Sequence, residues 1–280
     1  MCGIVGFVTN NYSLETKKKQ INKMMDRIIH RGPDSSGEYI DDKVALGFRR
    51  LSIIDLKSGD QPIFNEDRTK AIIFNGEIYN FQELRSELEA KGHIFATKAD
   101  TEVIIHGYEE YGAGIVKKLR GMFSFAIWDI EKQELFGARD HFGIKPYYYY
   151  NQNGTFMFGS EIKSFLDHPD FVKEMNPRAL KPYMTFQYSA IDETFFKNVY
   201  RIPEGHYYYL RNGELELTQY WDAEFSEEDM SLEEAINLID EAVQESVAAH
   251  SISDVKLGTF LSSGVDSSFV TSVSKPNYTF

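Results

Sequence analysis

Two β-rich runs, 124–129 and 135–138, are separated only by the polar stretch Ile130-Glu-Lys-Gln-Glu134. A gap that short admits a hairpin, so the two runs must pair antiparallel. The same texture recurs over the first two thirds of the chain: further strands are read at 4–9, 44–49, 71–74, 147–150 and 156–159, many bounded by Gly, Asn or Asp. Phe and Tyr supply 21 and 17 residues, many of them in these runs. Two amphipathic helices are predicted, 80–91 with Phe81, Leu84 and Leu88 on one face, and 101–111 with Val103, Ile104 and Tyr108. Antiparallel strands with interspersed helices make an α+β domain. No internal repeat or low-complexity tract interrupts it.

After Trp221 the texture changes. An acidic stretch ends in Ser231-Leu-Glu-Glu234, a capping box that opens a helix carrying Ile236, Ile239, Val243 and Val247 at helical spacing. A strand near 256–261, a Ser/Gly turn, a helix at 266–274 and a strand start at 277–280 follow. Strand, helix, strand is the opening of a parallel α/β sheet. Two strands and two helices cannot cover both faces of such a sheet, so the second domain is expected to be truncated. The expected division is 1–222 and 223–280.

In 280 residues, an apolar content of 42% is enough for a buried core. The net charge of -13 argues against nonspecific binding to nucleic acid or an anionic membrane, which leaves small-molecule chemistry. No stretch is apolar enough to span a bilayer, and the run 4–8 is too short for a signal peptide. A single cysteine permits no internal disulfide, so a reducing, cytoplasmic setting is expected.

That cysteine is Cys2. Removal of Met1 would place a thiol and a free α-amine on one residue, and an α-amine with a reference pKa of about 7.7 to 8.0 can serve as base to the thiol. The alternative is a small buried apolar residue at a strand start. Asn75 and Gly76, in Phe74-Asn-Gly-Glu-Ile-Tyr79, offer an amide and a backbone N–H to one small volume, as an oxyanion hole requires; a plain Asn-Gly turn is the rival. Arg50 can grip a carboxylate and Asp100 an ammonium, together reading an amino-acid head group. Taken separately, Arg50 reads as a surface charge and Asp100 as the N-cap of the 101–111 helix. Ser262-Ser-Gly-Val-Asp-Ser267, between a strand and a helix, presents backbone N–H groups and a helix N-terminus suited to pyrophosphate, or is an ordinary Ser-capped start.

Taken in order, Cys2-Gly-Ile-Val-Gly, His30-Arg-Gly-Pro-Asp34, Arg50-Leu-Ser-Ile, Asn75-Gly-Glu77, Asp100-Thr-Glu, Ala138-Arg-Asp140 and Gly143-Ile-Lys-Pro146 resemble the glutaminase domain of glutamine-dependent asparagine synthetases, which are class II amidotransferases with an N-terminal nucleophile. The resemblance runs over essentially the whole chain. It implies an antiparallel two-sheet sandwich flanked by helices, followed by the start of an α/β nucleotide-binding domain. It also implies glutamine hydrolysis through a γ-glutamyl thioester on Cys2, with Asn75 and Gly76 as oxyanion hole. Arg50 would bind the α-carboxylate and Asp100 the amino group, while Glu77 and the backbone of Leu51, Ser52, Ile53 and Ile54 would complete the pocket. Residues 31–34 and 139–146 are read as a structural turn and a supporting segment, and His141 stands where the family often has Arg.

The 260–268 segment resembles the pyrophosphate loop of AMP-releasing synthetases, which implies ATP contacts from Leu261, Ser262, Ser263, Gly264, Val265, Asp266 and Ser267. Ser263 replaces the first of two usual glycines. In the full-length enzyme ATP and Mg2+ would activate aspartate as β-aspartyl-AMP for attack by ammonia. No cofactor is implied for the glutaminase half and no metal ligand within the chain. The expected partners are glutamine, aspartate and ATP, the reading allows a homodimer, and the chain alone is expected to hydrolyse glutamine without making asparagine. Relatives amidating another carboxylate, or a catalytically silent glutamine-binding module, are the alternatives. Class II amidotransferases that make sugar amines share the Cys2 start but lack the Ser262–Ser267 type of loop.

Overall fold

The computed structural model describes residues 1–53, 55, 58–189 and 191–280. They divide into two compact units, Met1–Ser52 with Lys57–Asp222 and Ile53–Leu56 with Ala223–Phe280.

The first unit holds strands β1 (Gly3–Thr9), β2 (Ser35–Ile40), β3 (Val44–Arg50), β4 (Ile63–Phe64), β5 (Lys70–Ile78), β6 (Gly121–Asp129), β7 (Glu134–Arg139), β8 (Tyr148–Gln152), β9 (Thr155–Gly159), β10 (Val199–Arg201), β11 (His206–Arg211) and β12 (Glu214–Gln219). They form two six-stranded sheets, ordered β10-β8-β9-β1-β3-β2 and β12-β11-β7-β6-β5-β4. The paired strands of both sheets run antiparallel. Because side chains alternate across a strand, β1 splits its apolar residues between two cores. Ile4 joins Val44, Leu46 and Phe48 of β3 and Ala71, Ile73, Ala126 and Trp128 of the other sheet in a layer between the sheets. Val5 and Phe7 point the other way, against Ile21, Met24 and Met25 of helix α1 (Leu14–Asp26). On the second sheet, helix α3 (Thr101–Tyr111) packs on β5, and α2 (Phe81–Ala90) packs on α3. The result is the expected helix-flanked, antiparallel two-sheet sandwich.

The 80–91 and 101–111 helices occur as α2 and α3, with all the named face residues buried. The sequence does not predict two further α-helices among the described residues of this unit. In α1 the fully buried Lys17 turns its ammonium onto the backbone carbonyls of Asp41 and Asp42, so a charged residue occupies a core-facing position. The other, α4 (Pro177–Phe186), contains Pro182 and leaves Leu180, Tyr183, Met184 and Phe186 exposed.

The second unit carries α5 (Leu232–His250), β13 (Gly258–Thr259), α6 (Val265–Ser274) and β14 (Tyr278–Thr279). The capping box is formed: Ser231 N–H donates to Glu234 Oε2 at 2.8 Å, and Glu234 N–H donates to Ser231 Oγ at 3.2 Å. β13 and β14 pair in parallel, as expected, although β13 is shorter than the 256–261 reading.

Candidate functional site

Strand parity brings the candidate residues together. In β3, Val44, Leu46 and Phe48 face the inter-sheet core, so Arg50 does too; in β5, Ala71 and Ile73 set the same face for Asn75 and Glu77. Cys2, two residues before Ile4, packs against that core, and Gly3 pairs with Arg49. Cys2, Arg50 and Asn75 therefore lie at the same end of the sandwich, facing its inter-sheet layer.

The Cys2 thiol lies against the Leu51 backbone. It donates to Leu51 O at 3.4 Å, and Leu51 N–H donates to Sγ at the same distance. Only the second contact improves when the sulfur ionises. Burial pushes the thiol pKa up; the Leu51 N–H, the chain's α-amine and Arg50 pull it back, and Asp100 adds to the rise. Arg31 holds the segment from behind, its Nε donating to Cys2 O at 2.9 Å and its Nη1 to Glu161 Oε1 at 3.1 Å.

Asn75 is buried, and its Nδ2 has no hydrogen-bond partner among the described residues. A buried amide N–H without an acceptor is costly, which makes it a donor suited to a developing oxyanion. The Asn-Gly turn is excluded, since β5 continues to Ile78 with Asn75 opposite Ser124 and Gly76 opposite Phe123. A Cβ on Gly76 would meet Met122 O at 2.1 Å, so the close approach of β6 demands glycine there.

Arg50 is not a surface charge. It is buried, and its Nη1 donates to Oδ1 of the exposed Asp60 at 3.0 Å. Asp100 precedes α3 but does not cap it. Its backbone is helical (φ -63°, ψ -26°), and its carboxylate instead accepts the Ile78 N–H at 2.9 Å, tying the start of α3 to the end of β5. Burial, with the nearby Glu77 charge adding to it, pushes the Asp100 pKa up to about 7. Ser52 N–H donates to Asp34 Oδ2 at 2.8 Å, giving the 31–34 turn a role in holding the Arg50 loop. Ile53 belongs to the second unit, where its carbonyl accepts the Asp254 N–H at 3.2 Å, and Ile54 lies outside the described residues.

Two residues near Cys2 were not singled out from sequence, although both lie in motifs that were. Arg31 is one. Lys145 is the other: it is buried, its Nζ is 3.3 Å from Met1 Sδ, and burial lowers its pKa. Asp140 shapes the turn that delivers it by accepting the N–H groups of Ile144 and Lys145 at 2.8 and 2.9 Å. His141 fits an aromatic niche, edge-on to Tyr220 and Trp221 with centroids 5.3 Å away.

In the second unit, Gly264 precedes α6 without a side-chain cap, so the first-turn N–H groups of the helix lack intrahelical acceptors. Ser267 Oγ donates to Gly264 O at 3.1 Å and lies 3.1 Å from Ser262 Oγ. Ser263 sits at φ 65°, the left-handed region where glycine is the easier residue.

Residues 1–221 match the family model described as a glutamine amidotransferase domain, and residues 238–278 match asparagine synthase. The fold and the first of these matches define a glutamine amidotransferase domain, and the chain belongs to the glutamine amidotransferase domain family. Among curated relatives, it is 43% identical over 278 residues to "Asparagine synthetase [glutamine-hydrolyzing] 1" of Bacillus subtilis, covering 98% of this chain and 44% of the relative. It is 36% identical to "Asparagine synthetase [glutamine-hydrolyzing] 3" of the same organism, covering 99% of this chain and 46% of the relative. The chain therefore spans less than half the length of these relatives. The solved glutamine phosphoribosylpyrophosphate amidotransferase from B. subtilis, complexed with ADP and GMP, shares the fold, with a TM-score of 0.56 at 16% identity; the match covers 100% of this chain and 65% of that one. Among the described residues no helix is long and apolar enough to cross a membrane.

Proposed function

We propose that the chain carries the glutamine-hydrolysing part of an asparagine synthetase, with Cys2 as nucleophile. The observation that carries this is the convergence of a thiol, a buried guanidinium and a buried unpartnered amide N–H at one end of the sandwich. Arg50 pairs with the α-carboxylate of glutamine in competition with Asp60. Asp100, in its ionised form, pairs with the α-ammonium. Glu77 and the Leu51–Ser52 backbone line the remainder. The thiol gives its proton to the Cys2 α-amine and attacks the side-chain carboxamide, while Asn75 Nδ2 and the Gly76 N–H hold the oxyanion. The amine returns that proton to the departing ammonia, and water then cleaves the thioester to glutamate. Met1 must be removed first, and its side chain is 53% exposed, within reach of a peptidase.

We assign residues 1–222 to this domain and 223–280 to the beginning of an ATP-binding domain, in a cytoplasmic enzyme. The uncapped α6 start and the Ser-rich loop fit a polyphosphate, which Leu261, Ser262, Ser263, Gly264, Val265, Asp266 and Ser267 would hold. ATP with Mg2+ would supply the adenylyl group that activates an aspartate carboxylate. A glutaminase assay on the wild type and Cys2→Ala tests the reading. Loss of at least about a thousandfold in the variant is expected, and activity surviving in it would refute the assignment.

A further inference from the structure

Away from Cys2, three segments of the first unit converge on a second group of side chains: Glu66 in the turn after β4, His93 in the loop leaving α2, and His106 and Glu109 on α3. One donor atom from each lies within 4.8 Å of all the others. His106 Nδ1 is 3.3 Å from Glu66 Oε2 and 3.2 Å from Glu109 Oε2. His93 Nδ1 is 3.2 Å from Glu66 Oε1 and 3.9 Å from Glu109 Oε2. Four ligands at zinc-like bond lengths of ~2.05 Å around a tetrahedron stand ~3.3 Å apart, close to the separations of His106 Nδ1 from Glu66 Oε2 and Glu109 Oε2, while Glu66 meets His93 through its other oxygen.

We propose that Glu66, His93, His106 and Glu109 form a closed four-ligand site for a divalent transition metal of the zinc class. The donor set is two imidazole nitrogens and two carboxylate oxygens. It suits zinc better than magnesium or calcium, which favour all-oxygen shells of six or more ligands. Two carboxylates and two neutral imidazoles also balance a doubly charged ion. The outer shell is already built. Glu102 Oε1 faces His106 Nε2 at 3.4 Å and can hold the proton on that nitrogen, leaving Nδ1 to face the cluster. Glu102 is fixed in turn by the N–H groups of Ala96 at 2.6 Å and Thr97 at 2.7 Å. Asn65 Nδ2 donates to Glu109 Oε1 at 2.6 Å, and Ile94 N–H donates to Glu66 Oε1 at 2.9 Å. Glu110 Oε2 lies 3.8 Å from His93 Nε2, and Lys70 Nζ lies 3.8 Å from Glu109 Oε1. Because α3 begins directly after Asp100, an ion held here fixes both the 91–100 loop and the helix that present that carboxylate. Its role is positioning.

The rival occupant is a proton on His106 shared among the carboxylates. Titrating Co2+ into the chelator-treated full chain separates the two. One equivalent should bind with the visible bands of tetrahedral cobalt, be displaced by Zn2+, and persist in Cys2→Ala. His93→Gln, which removes a loop ligand and leaves α3 intact, should abolish the tetrahedral spectrum and weaken Zn2+ binding at least about tenfold. Glu102→Gln should weaken it by about 10 to 100 fold. Three results would overturn the proposal: no stoichiometric metal binding by the wild type while circular dichroism shows it folded, which leaves the proton network; binding unchanged in His93→Gln; or binding lost in Cys2→Ala, which places the ion at the thiol.

Discussion

Adjacent residues Ile4 and Val5 of β1 are both fully buried, one between the sheets and one beneath α1. In the second unit, α5 and α6 bury no residue, and Ile239 stands 61% exposed on a helix whose capping box is fully formed. The two regions are held by different forces. Burial of apolar surface, at roughly 25 cal/mol per Å2, stabilises the first. Local hydrogen bonds and propensity, worth about 1 kcal/mol per cap, organise the second.

The contrast is broken most directly by paired truncations. Trp128→Ala removes a fully buried indole whose Nε1 donates to Asp41 Oδ2 at 2.6 Å, and it should cost about 3 to 5 kcal/mol in denaturant unfolding. Ile239→Ala should stay within about 0.5 kcal/mol. Equal costs would show that the second unit has a core of its own.

Next in size is the proposed glutamine site at the end of the first core. Asn75→Ala should lower kcat for glutamine hydrolysis by about 100 to 1000 fold, with far less change in KM. A pure KM effect would make Asn75 a substrate-binding residue instead of an oxyanion donor.

Asp100 gives a smaller, pH-dependent effect. Its pKa is raised to about 7, so below that pH the carboxyl is neutral and cannot pair with an ammonium. From this group alone, kcat/KM for glutamine should rise about tenfold per pH unit up to about 7 and then level off. The folded chain holds this proton more tightly than the unfolded chain does. The associated stability is therefore complete below the unfolded value of about 3.9 and is lost as pH rises through about 7. Asp100→Asn keeps an acceptor for the Ile78 N–H, so it should raise KM and erase the acid limb without unfolding the protein. An unchanged limb would assign that titration elsewhere. Smallest of all, Ser263→Gly should relieve the φ 65° backbone and stabilise the second unit by about 1 kcal/mol or less in thermal unfolding.

The same contrast explains what could be read from the chain. Capping and helical spacing declared α5, α6, α2 and α3, and apolar, β-rich runs declared β1, β3 and β6; in α2, α3 and these strands propensity and burial agree. Such signals missed α1, where Lys17 sits in the core with its charge on carbonyl oxygens. They missed also β2, whose Ser-Ser-Gly-Glu-Tyr-Ile is carried by pairing with β3, and β12, whose residues are mostly exposed. Cys2, Arg50, Asn75 and Asp100 were named from motifs. The convergence of Cys2, Arg50 and Asn75 follows from strand parity, while the Asp100 bond to the Ile78 N–H and the Leu51 contact to the thiol depend on tertiary register that no spacing encodes. Glu66, His93, His106 and Glu109 come from three separate segments, and only His106 and Glu109 share a recognisable spacing. Outside α3 nothing in the linear order announces them.

The central claim is that Cys2, freed of Met1, is the nucleophile. Intact mass of an active preparation, before and after treatment with a glutamine-like diazoketone, tests it directly. The account predicts a mass lacking methionine, a single adduct mapped to Cys2, and loss of glutaminase activity in step with labelling. Glutamine turnover by a preparation that retains Met1, or full activity with Cys2 quantitatively labelled, would contradict it.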